Sequence, residues 1–483
     1  MVGPLTDVRH SAVPPLRSAL RFLAAISAIF AGIACSSTSS SPDASAGSAG
    51  LSGSAGHGGS ASNQAGSAGA AGQGGTGGGS SAGSNAGGST AAGGNAGASG
   101  GGTSGGGTGG GAAGSPANPG WTGTWGVAVQ NCGDTFNQKT LRQIVHTSIA
   151  GSDARVTLSN ALGSQAIHVS DVHLAKRSSG SSVDASSDRP LTFGGQTSVT
   201  IAQGAAATSD SVSFPIAALS DIAVSFYLPE GTGPATCHQT GLQTNYAADG
   251  DVSGNATLNS PKNKGSYYFL ASLDVKNSAA LGAVVTLGAS ITDGVAAGGD
   301  SNKRWPNDLA ARLNAAGLTV GVLNEGISGN TLLHDGAGQS PMNRFQRDVL
   351  DQSGVKWLIF SDDPINDLGA GNNRPSGEAL IDGLKQLLMK AHQGGLKYLC
   401  STLTPFEGSG GWSSDGEIAR GKINAFVRSA DSGCDGIVDQ DTATHDPSQP
   451  TKYLPAYDAG DHLHPNEKGL QAIADAVDLK LFK

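Results

Sequence analysis

The chain has no basic stripe, no metal-binding cysteine pattern and no apolar run long enough to cross a bilayer. Its 29 Lys and Arg against 38 Asp and Glu leave a net charge of −9 and a pI of about 5.6. That balance argues against a nucleic-acid partner, which a basic face would have to hold. None of the five cysteines forms a CxxC or other zinc-like spacing. The most apolar segment, "FLAAISAIFAGIAC", runs for about thirteen residues, where a spanning helix needs about twenty. Residues 36–115 lack nearly every side chain that builds a core, as "GQGGTGGGSSAGSNAGGSTAAGGNAG" illustrates.

What is present divides the chain into four parts. Arg9, Arg17 and Arg21 precede the short apolar stretch, so residues 1–35 read as a signal peptide. It closes on "GIAC" before "SS", which resembles a bacterial lipobox with Cys35 as the lipidated residue, although Gly32 stands where Leu is usual. Membrane attachment through Cys35, facing outward, is the expectation, and plain secretion is the alternative. Residues 36–115 cannot offset the entropy of ordering and read as a disordered tether. Roughly 80 such residues reach about 50 Å r.m.s.. Export permits disulfides among the other cysteines. Cys132 with Cys237 and Cys400 with Cys434 is one pairing, but Cys400 sits inside a strand-like run and reads equally as a buried thiol.

Residues 116–277 carry short runs rich in Val, Ile, Phe and Thr: "DARVTLSN", "AIHVSDVHLA", "SVTIA", "SVSFPI" and "DIAVSFYLP". No helical stripe interrupts them, which predicts an all-β sandwich, jelly-roll-like. From residue 278 to 483 apolar strands alternate with helical periodicities. "AVVTL", "LTVGVLN", "VKWLIF", "LKYLCST" and "GIVD" are the strands. "RWPNDLAARLNAAG", "GEALIDGLKQLLMKAHQGG", "EIARGKINAFVRSA" and "NEKGLQAIADAVDLKLF" are the helices. One helix aligns Trp305, Leu309 and Leu313, with Pro306 in its first turn and Gly317 past its end. Another places Leu380, Leu384, Leu387, Leu388 and Ala391 on one face. The alternation predicts a three-layer α/β/α domain around a parallel sheet of about five strands in the order 2-1-3-4-5, flavodoxin-like.

Ligands of such sheets bind beyond the carboxyl ends of the strands, and four loops there carry polar groups. "GASITDG" holds Ser290, "NEGISGNTLL" holds Gly329 and Asn330, "SDDPINDLG" holds Asn366 and Asp367, and "DAGDHLHPNEKG" holds Asp461 and His464. A serine hydroxyl becomes a nucleophile when an imidazole takes its proton. The imidazole in turn needs an acceptor at its other nitrogen, and Asp461 and His464 lie within one turn of each other. An oxyanion needs preorganised donors, which the Ser290 and Gly329 N–H groups and the Asn366 amide can supply.

These four loops resemble the blocks of the SGNH/GDSL hydrolase family. Ser290 falls in the first block, Gly329 in the second, Asn366 in the third, and Asp461 with His464 in the last. "RWPNDLAARL", "LNEGISGNTLLHDGAG", "RFQRDVL", "TLTPF" and "PAYDAGDHLHPNEKG" resemble a branch of secreted two-domain esterases, lysophospholipase- or acetylesterase-like, whose β-rich N-terminal domain reads like "TLRQIVHTSIAGSDARVTLSN". The resemblance covers residues 121–483. It implies a carboxylic ester hydrolase with a Ser290–His464–Asp461 triad, an oxyanion hole of Ser290, Gly329 and Asn366, and neither cofactor nor metal.

Two positions depart from the family pattern. Ala289 stands where the first block usually has Asp, and Pro364 where the third usually has Gly. Asp362 and Asp363 would also bring negative charge toward an oxyanion. These features carry the alternative reading, a surface-displayed glycan-binding protein on a degenerate esterase scaffold. The favoured substrate is a carboxylic ester, with the tethered setting pointing to O-acetyl groups on carbohydrate. Other groups have plainer readings. His462 forms an HxH with His464 but has no further ligand cluster. Asp367 reads as a loop brace and Trp305 as core. Trp121, Trp125 and His146 read as sandwich interior before sugar contacts. Asn255–Thr257 forms a glycosylation sequon that a lipobox context makes irrelevant. The sequence assigns no oligomeric state.

Overall fold

The computed structural model describes residues 120–369 and 371–483. The signal-peptide reading, Cys35 and the tether lie outside them. The described residues fall in one compact unit, in which a β-rich part is followed by an α/β part.

The β-rich part contains two principal antiparallel sheets and a small third one. The first joins Trp121–Gly126, Leu270–Lys276, Gly151–Ser159 and Val212–Ile216 in that order, with Ala206–Thr208 beside Gly151–Ser159. The second runs Lys262–Lys264, Asn245–Asp249, Lys139–His146, Asp221–Leu228, Ile167–Ser179 and Ser182–Val183. Val156, Leu158, Phe214 and Leu273 of the first sheet share an apolar cluster with Leu141, Val145, Leu174 and Phe226 of the second. Burying such faces is what lets these period-2 segments hold together. The runs chosen by Val and Ile content are all strands, but Trp121–Gly126, Asn245–Asp249 and Leu270–Lys276 were not anticipated. Their Gly, Asn, Asp and Lys content lowers local β propensity, and sheet pairing overrides it.

In the α/β part, five parallel strands lie in the order Val320–Gly326, Gly282–Gly288, Val355–Phe360, Lys397–Ser401 and Gly436–Val438. In chain order that is 2-1-3-4-5. Successive side chains point to opposite faces. Val285, Leu287, Leu358 and Phe360 pack with Leu380, Leu384 and Leu387 of helix Gly377–Gln393 and Ile423 of helix Ser414–Arg428. Val284, Trp357 and Ile359 pack on the other side with Trp305, Leu309 and Leu313 of helix Trp305–Ala315 and Leu470 and Ile473 of helix Glu467–Asp475. The sheet is therefore covered on both faces. Pro306 sits in the first turn of its helix and Gly317 follows its end at φ +69°. Leu388 is only half-buried. The last helix stops at Asp475, short of the apolar pattern; Asp478 caps a separate short 3₁₀ turn, Leu479–Phe482.

Disulfides join Cys132 to Cys237 and Cys400 to Cys434. The β-rich part also leans directly on the parallel sheet. Val127 makes a parallel bridge to Asn324, and a Cβ on Gly321 would lie 2.0 Å from the Gly123 carbonyl. Only glycine permits that approach.

Among the described residues, no helix is long and apolar enough to cross a membrane.

Candidate active site

The strand Gly282–Gly288 ends at a glycine for a steric reason. A Cβ on Gly288 would lie 2.3 Å from Thr292 Oγ1 and 2.4 Å from Asp362 Oδ1. The chain turns there into the short helix Ser290–Asp293, which Gly294 closes in the left-handed conformation at φ +101°. Ser290 thus occupies the first helical position at the carboxyl edge of the sheet.

Asp362, just beyond the strand Val355–Phe360, clamps this turn. Its carboxylate accepts from the Ala289 N–H (3.0 Å), the Ile291 N–H (2.7 Å), the Thr292 N–H (3.3 Å) and the Thr292 hydroxyl (2.6 Å). The amides on either side of Ser290 are taken, and Ser290's own is not among them. Ala289 is fully buried. A carboxylate does bear on the turn, supplied from Asp362 rather than from position 289. Its two oxygens are engaged by four donors.

His464 reaches Ser290 from a loop near the C-terminus. Its Nε2 lies 2.9 Å from Ser290 Oγ and its Nδ1 lies 2.6 Å from Asp461 Oδ2. Asp461 Oδ1 accepts from the backbone N–H groups of Leu463 (3.0 Å) and His464 (2.9 Å). Burial pushes the Asp461 carboxyl up, but the bonds from the His464 ring and those two amides outweigh it and hold the group below its usual range. The loop is fixed independently. The Tyr453 hydroxyl donates to the Leu463 carbonyl (3.1 Å), and the Asn466 amide donates to the carbonyls of Ala456 and Asp458. His462 turns away, its Nδ1 on Asp458 Oδ2. Among the described residues no group of three or more His, Cys, Asp or Glu is arranged to hold a metal ion.

Gly329 adopts φ +79°, a conformation natural to glycine, in the loop after strand Val320–Gly326. Asn366 Nδ2 donates to the Asn330 carbonyl at 2.7 Å, which ties the third loop to the second. Pro364 does not spoil this. It lies in the first turn of helix Asp363–Leu368, where an N–H has no intrahelical partner to lose. Asp363 is fully buried and accepts from Asn330 Nδ2 at 2.9 Å. Burial raises it, neighbouring Asp362 and Asp367 add to that, and Arg344 and Asn330 oppose it, leaving the carboxyl at about 7. Asp367 accepts from the Leu332 N–H at 2.7 Å and braces its loop.

The remaining candidates are structural. Trp125 is buried against Tyr267, Trp121 lies under Arg155 and Lys276, and His146 Nδ1 pairs with Asp221 at 2.7 Å. Trp305 is fully buried. Sequence reasoning missed the clamping role of Asp362, whose only signal was its place after an apolar strand.

A serine, an imidazole and a carboxylate in hydrogen-bonded succession at the carboxyl edge of a parallel sheet form the constellation of a serine-dependent hydrolase. Residues 284–477 match the family model described as GDSL-like Lipase/Acylhydrolase. This α/β part, rather than the chain as a whole, is of the GDSL/SGNH carboxylic ester hydrolase type. Similar solved structures include a GDSL-like lipase from Bacteroides thetaiotaomicron, 18% identical, covering 42% of this chain and 88% of that one, with a TM-score of 0.32. A variant of Axe2, an acetyl xylan esterase from Geobacillus stearothermophilus, is 20% identical over 42% and 95% of the two chains, with a TM-score of 0.33. LAE5, an α/β hydrolase from the metagenome of Lake Arreo, is 24% identical over 41% and 94%, with a TM-score of 0.32. No curated protein matches the chain.

Proposed function

We propose that the chain is an exported serine esterase of the GDSL/SGNH type, with Ser290, His464 and Asp461 as its triad, on a flavodoxin-like domain that follows a jelly-roll-like one. The observation that carries the reading is the unbroken succession from Ser290 Oγ to His464 Nε2 at 2.9 Å and from His464 Nδ1 to Asp461 at 2.6 Å.

The chemistry follows from that order. As Ser290 Oγ forms its bond to the ester carbonyl carbon, its proton passes to His464 Nε2. Asp461 accepts from Nδ1, fixes the tautomer and stabilises the imidazolium. The Ser290 and Gly329 N–H groups and the Asn366 amide receive the negative oxygen. Collapse breaks the bond to the alcohol, which leaves with the proton from Nε2. Water then repeats the sequence on the acyl-serine, yielding a carboxylic acid and free Ser290.

Ser290 is only 5% exposed and the His464 side chain 15%. Such narrow access favours a small acyl group, and with the export signal and tether it supports O-acetyl groups on carbohydrate, reached from a Cys35 lipid anchor. Hydrolysis of p-nitrophenyl acetate, butyrate and octanoate by the wild type, Ser290→Ala and His464→Ala tests this. Acetate should be the best of the three and both variants inactive. Turnover that persists in Ser290→Ala would overturn the triad assignment, and a preference for octanoate would overturn the small-acyl reading.

A further inference from the structure

The β-rich part sends one side chain to the catalytic turn. His238 belongs to the strand Thr236–His238, next to the Cys132–Cys237 disulfide. Its Nδ1 donates to the Ala128 carbonyl at 2.9 Å, because a carbonyl oxygen only accepts. Its Nε2 lies 3.1 Å from Oδ1 of Asp293, the last residue of the helix that Ser290 begins. Both side chains are almost wholly buried, at 3% and 1% exposed.

The second oxygen of Asp293 looks the other way. Oδ2 accepts from the backbone N–H of Ser328 at 3.0 Å and from its hydroxyl at 2.5 Å. Ser328 directly precedes Gly329, and Thr240 of the β-rich part donates to its hydroxyl at 3.3 Å. Arg304 repeats the tie, donating from Nε to the Asp293 carbonyl at 2.7 Å and from Nη2 to the carbonyls of Thr240 and Gly241. One carboxylate therefore joins three things: the Ser290 helix, the Gly329 loop and a histidine from the preceding part of the chain. A buried carboxylate that loses one such partner is left with an unmet charge.

We propose that His238 is a positioning residue for ester hydrolysis, holding Asp293 so that the Ser290 helix and the Ser328–Gly329 loop keep their mutual aim. This rests on the assignment of Ser290 and Gly329 above. The β-rich part is on this view a component of the active site. A displacement of about 1 Å between nucleophile and oxyanion donors lowers turnover on the order of 10²-fold. Binding should change little, since His238 touches no substrate.

Glutamine and asparagine at this position separate positioning from simple packing. Glutamine carries an amide N–H about as far out as imidazole Nε2 and can keep the bond to Asp293. Asparagine stops near the Nδ1 position and can keep only the bond to Ala128. The experiment measures kcat and KM for p-nitrophenyl acetate, with thermal unfolding, for the full chain as wild type, His238→Gln, His238→Asn and Ser290→Ala. His238→Asn should lose on the order of 10²-fold in kcat with KM little changed, and His238→Gln should regain most of it. Full kcat in folded His238→Asn, or an equal loss in both variants, would overturn the proposal. Should His238→Asn fail to fold, Ser328→Ala removes one bond from the far end of the same carboxylate. A kcat loss there at constant KM supports the proposal, and unchanged kcat overturns it. If the wild type shows no Ser290-dependent turnover, the assignment of the site itself has failed instead.

Discussion

Ser290 Oγ and His464 Nε2 meet at 2.9 Å across 174 residues of sequence. Each is placed by its own local device: the steric need for Gly288 and the Asp362 clamp on one side, the Asp461 and Asn466 bonds on the other. Removing His464 should therefore abolish turnover without unfolding the protein. Asp461 is half-exposed, so water can partly replace it. Asp461→Asn should cost less than the ~10⁴-fold typical of a buried triad aspartate. Steady-state rates for the two variants, beside their melting curves, check this ranking.

Asn366 should matter to the transition state more than to substrate binding. Its amide is aimed by the bond to the Asn330 carbonyl, and loss of one oxyanion donor lowers kcat by about 10²–10³-fold. Asn366→Ala is expected to show that loss at nearly constant KM. An Asn366→Ala enzyme with normal kcat would remove it from the oxyanion hole.

Asp362 should be a stability residue as well as an active-site brace. Its carboxylate satisfies three buried amides and a hydroxyl, which Asp362→Ala would leave unpaired. The expected loss is about 2–4 kcal/mol in a urea titration, accompanied by loss of activity. A variant as stable as the wild type would contradict the clamp.

Asp363 gives stability a pH dependence of defined sign. The folded carboxyl sits at about 7 through burial, whereas an unfolded one sits near 3.9. Between these values the folded chain holds a proton that the unfolded chain releases. Stability from this group is therefore complete below about pH 4 and falls as pH rises toward 7, by about 1.4 kcal/mol per unit. Asp363→Asn removes the titration. Its stability relative to the wild type should rise from pH 4 to 7 and then level off. Parallel stability curves would show that Asp363 does not titrate this way.

The two disulfides should separate in their effects on activity. Their sequence separations of 105 and 34 residues differ by only about 1 kcal/mol in loop entropy. Cys237, however, adjoins His238. Cys237→Ser should lower kcat as well as the melting temperature, while Cys434→Ser should lower the melting temperature alone. Equal kcat values in the two variants would contradict this.

How far the sequence disclosed this molecule depends on the range of the forces involved. The parallel strands and the helices Trp305–Ala315 and Gly377–Gln393 were legible because burial imposes a period on the local chain. Ser290, Gly329, Asn366, Asp461 and His464 could be named as candidates because strand ends are where loops converge. The edge strand Trp121–Gly126 and its neighbour Leu270–Lys276 were not legible, since pairing between residues about 150 apart leaves no local pattern. The surroundings of Ala289 and Pro364, the Asp362 clamp and the first turn of helix Asp363–Leu368, are three-dimensional and left no mark in the sequence. His238 could not be read at all, for its partner Asp293 lies 55 positions away.

The most direct test of the account is covalent labelling of the folded full chain with a fluorophosphonate, followed by peptide mass spectrometry. The account requires a single adduct on the peptide carrying Ser290, absent from His464→Ala and formed in step with the loss of p-nitrophenyl acetate hydrolysis. A folded protein that hydrolyses acetate esters while Ser290 stays unmodified, or one that labels at another serine, would contradict it.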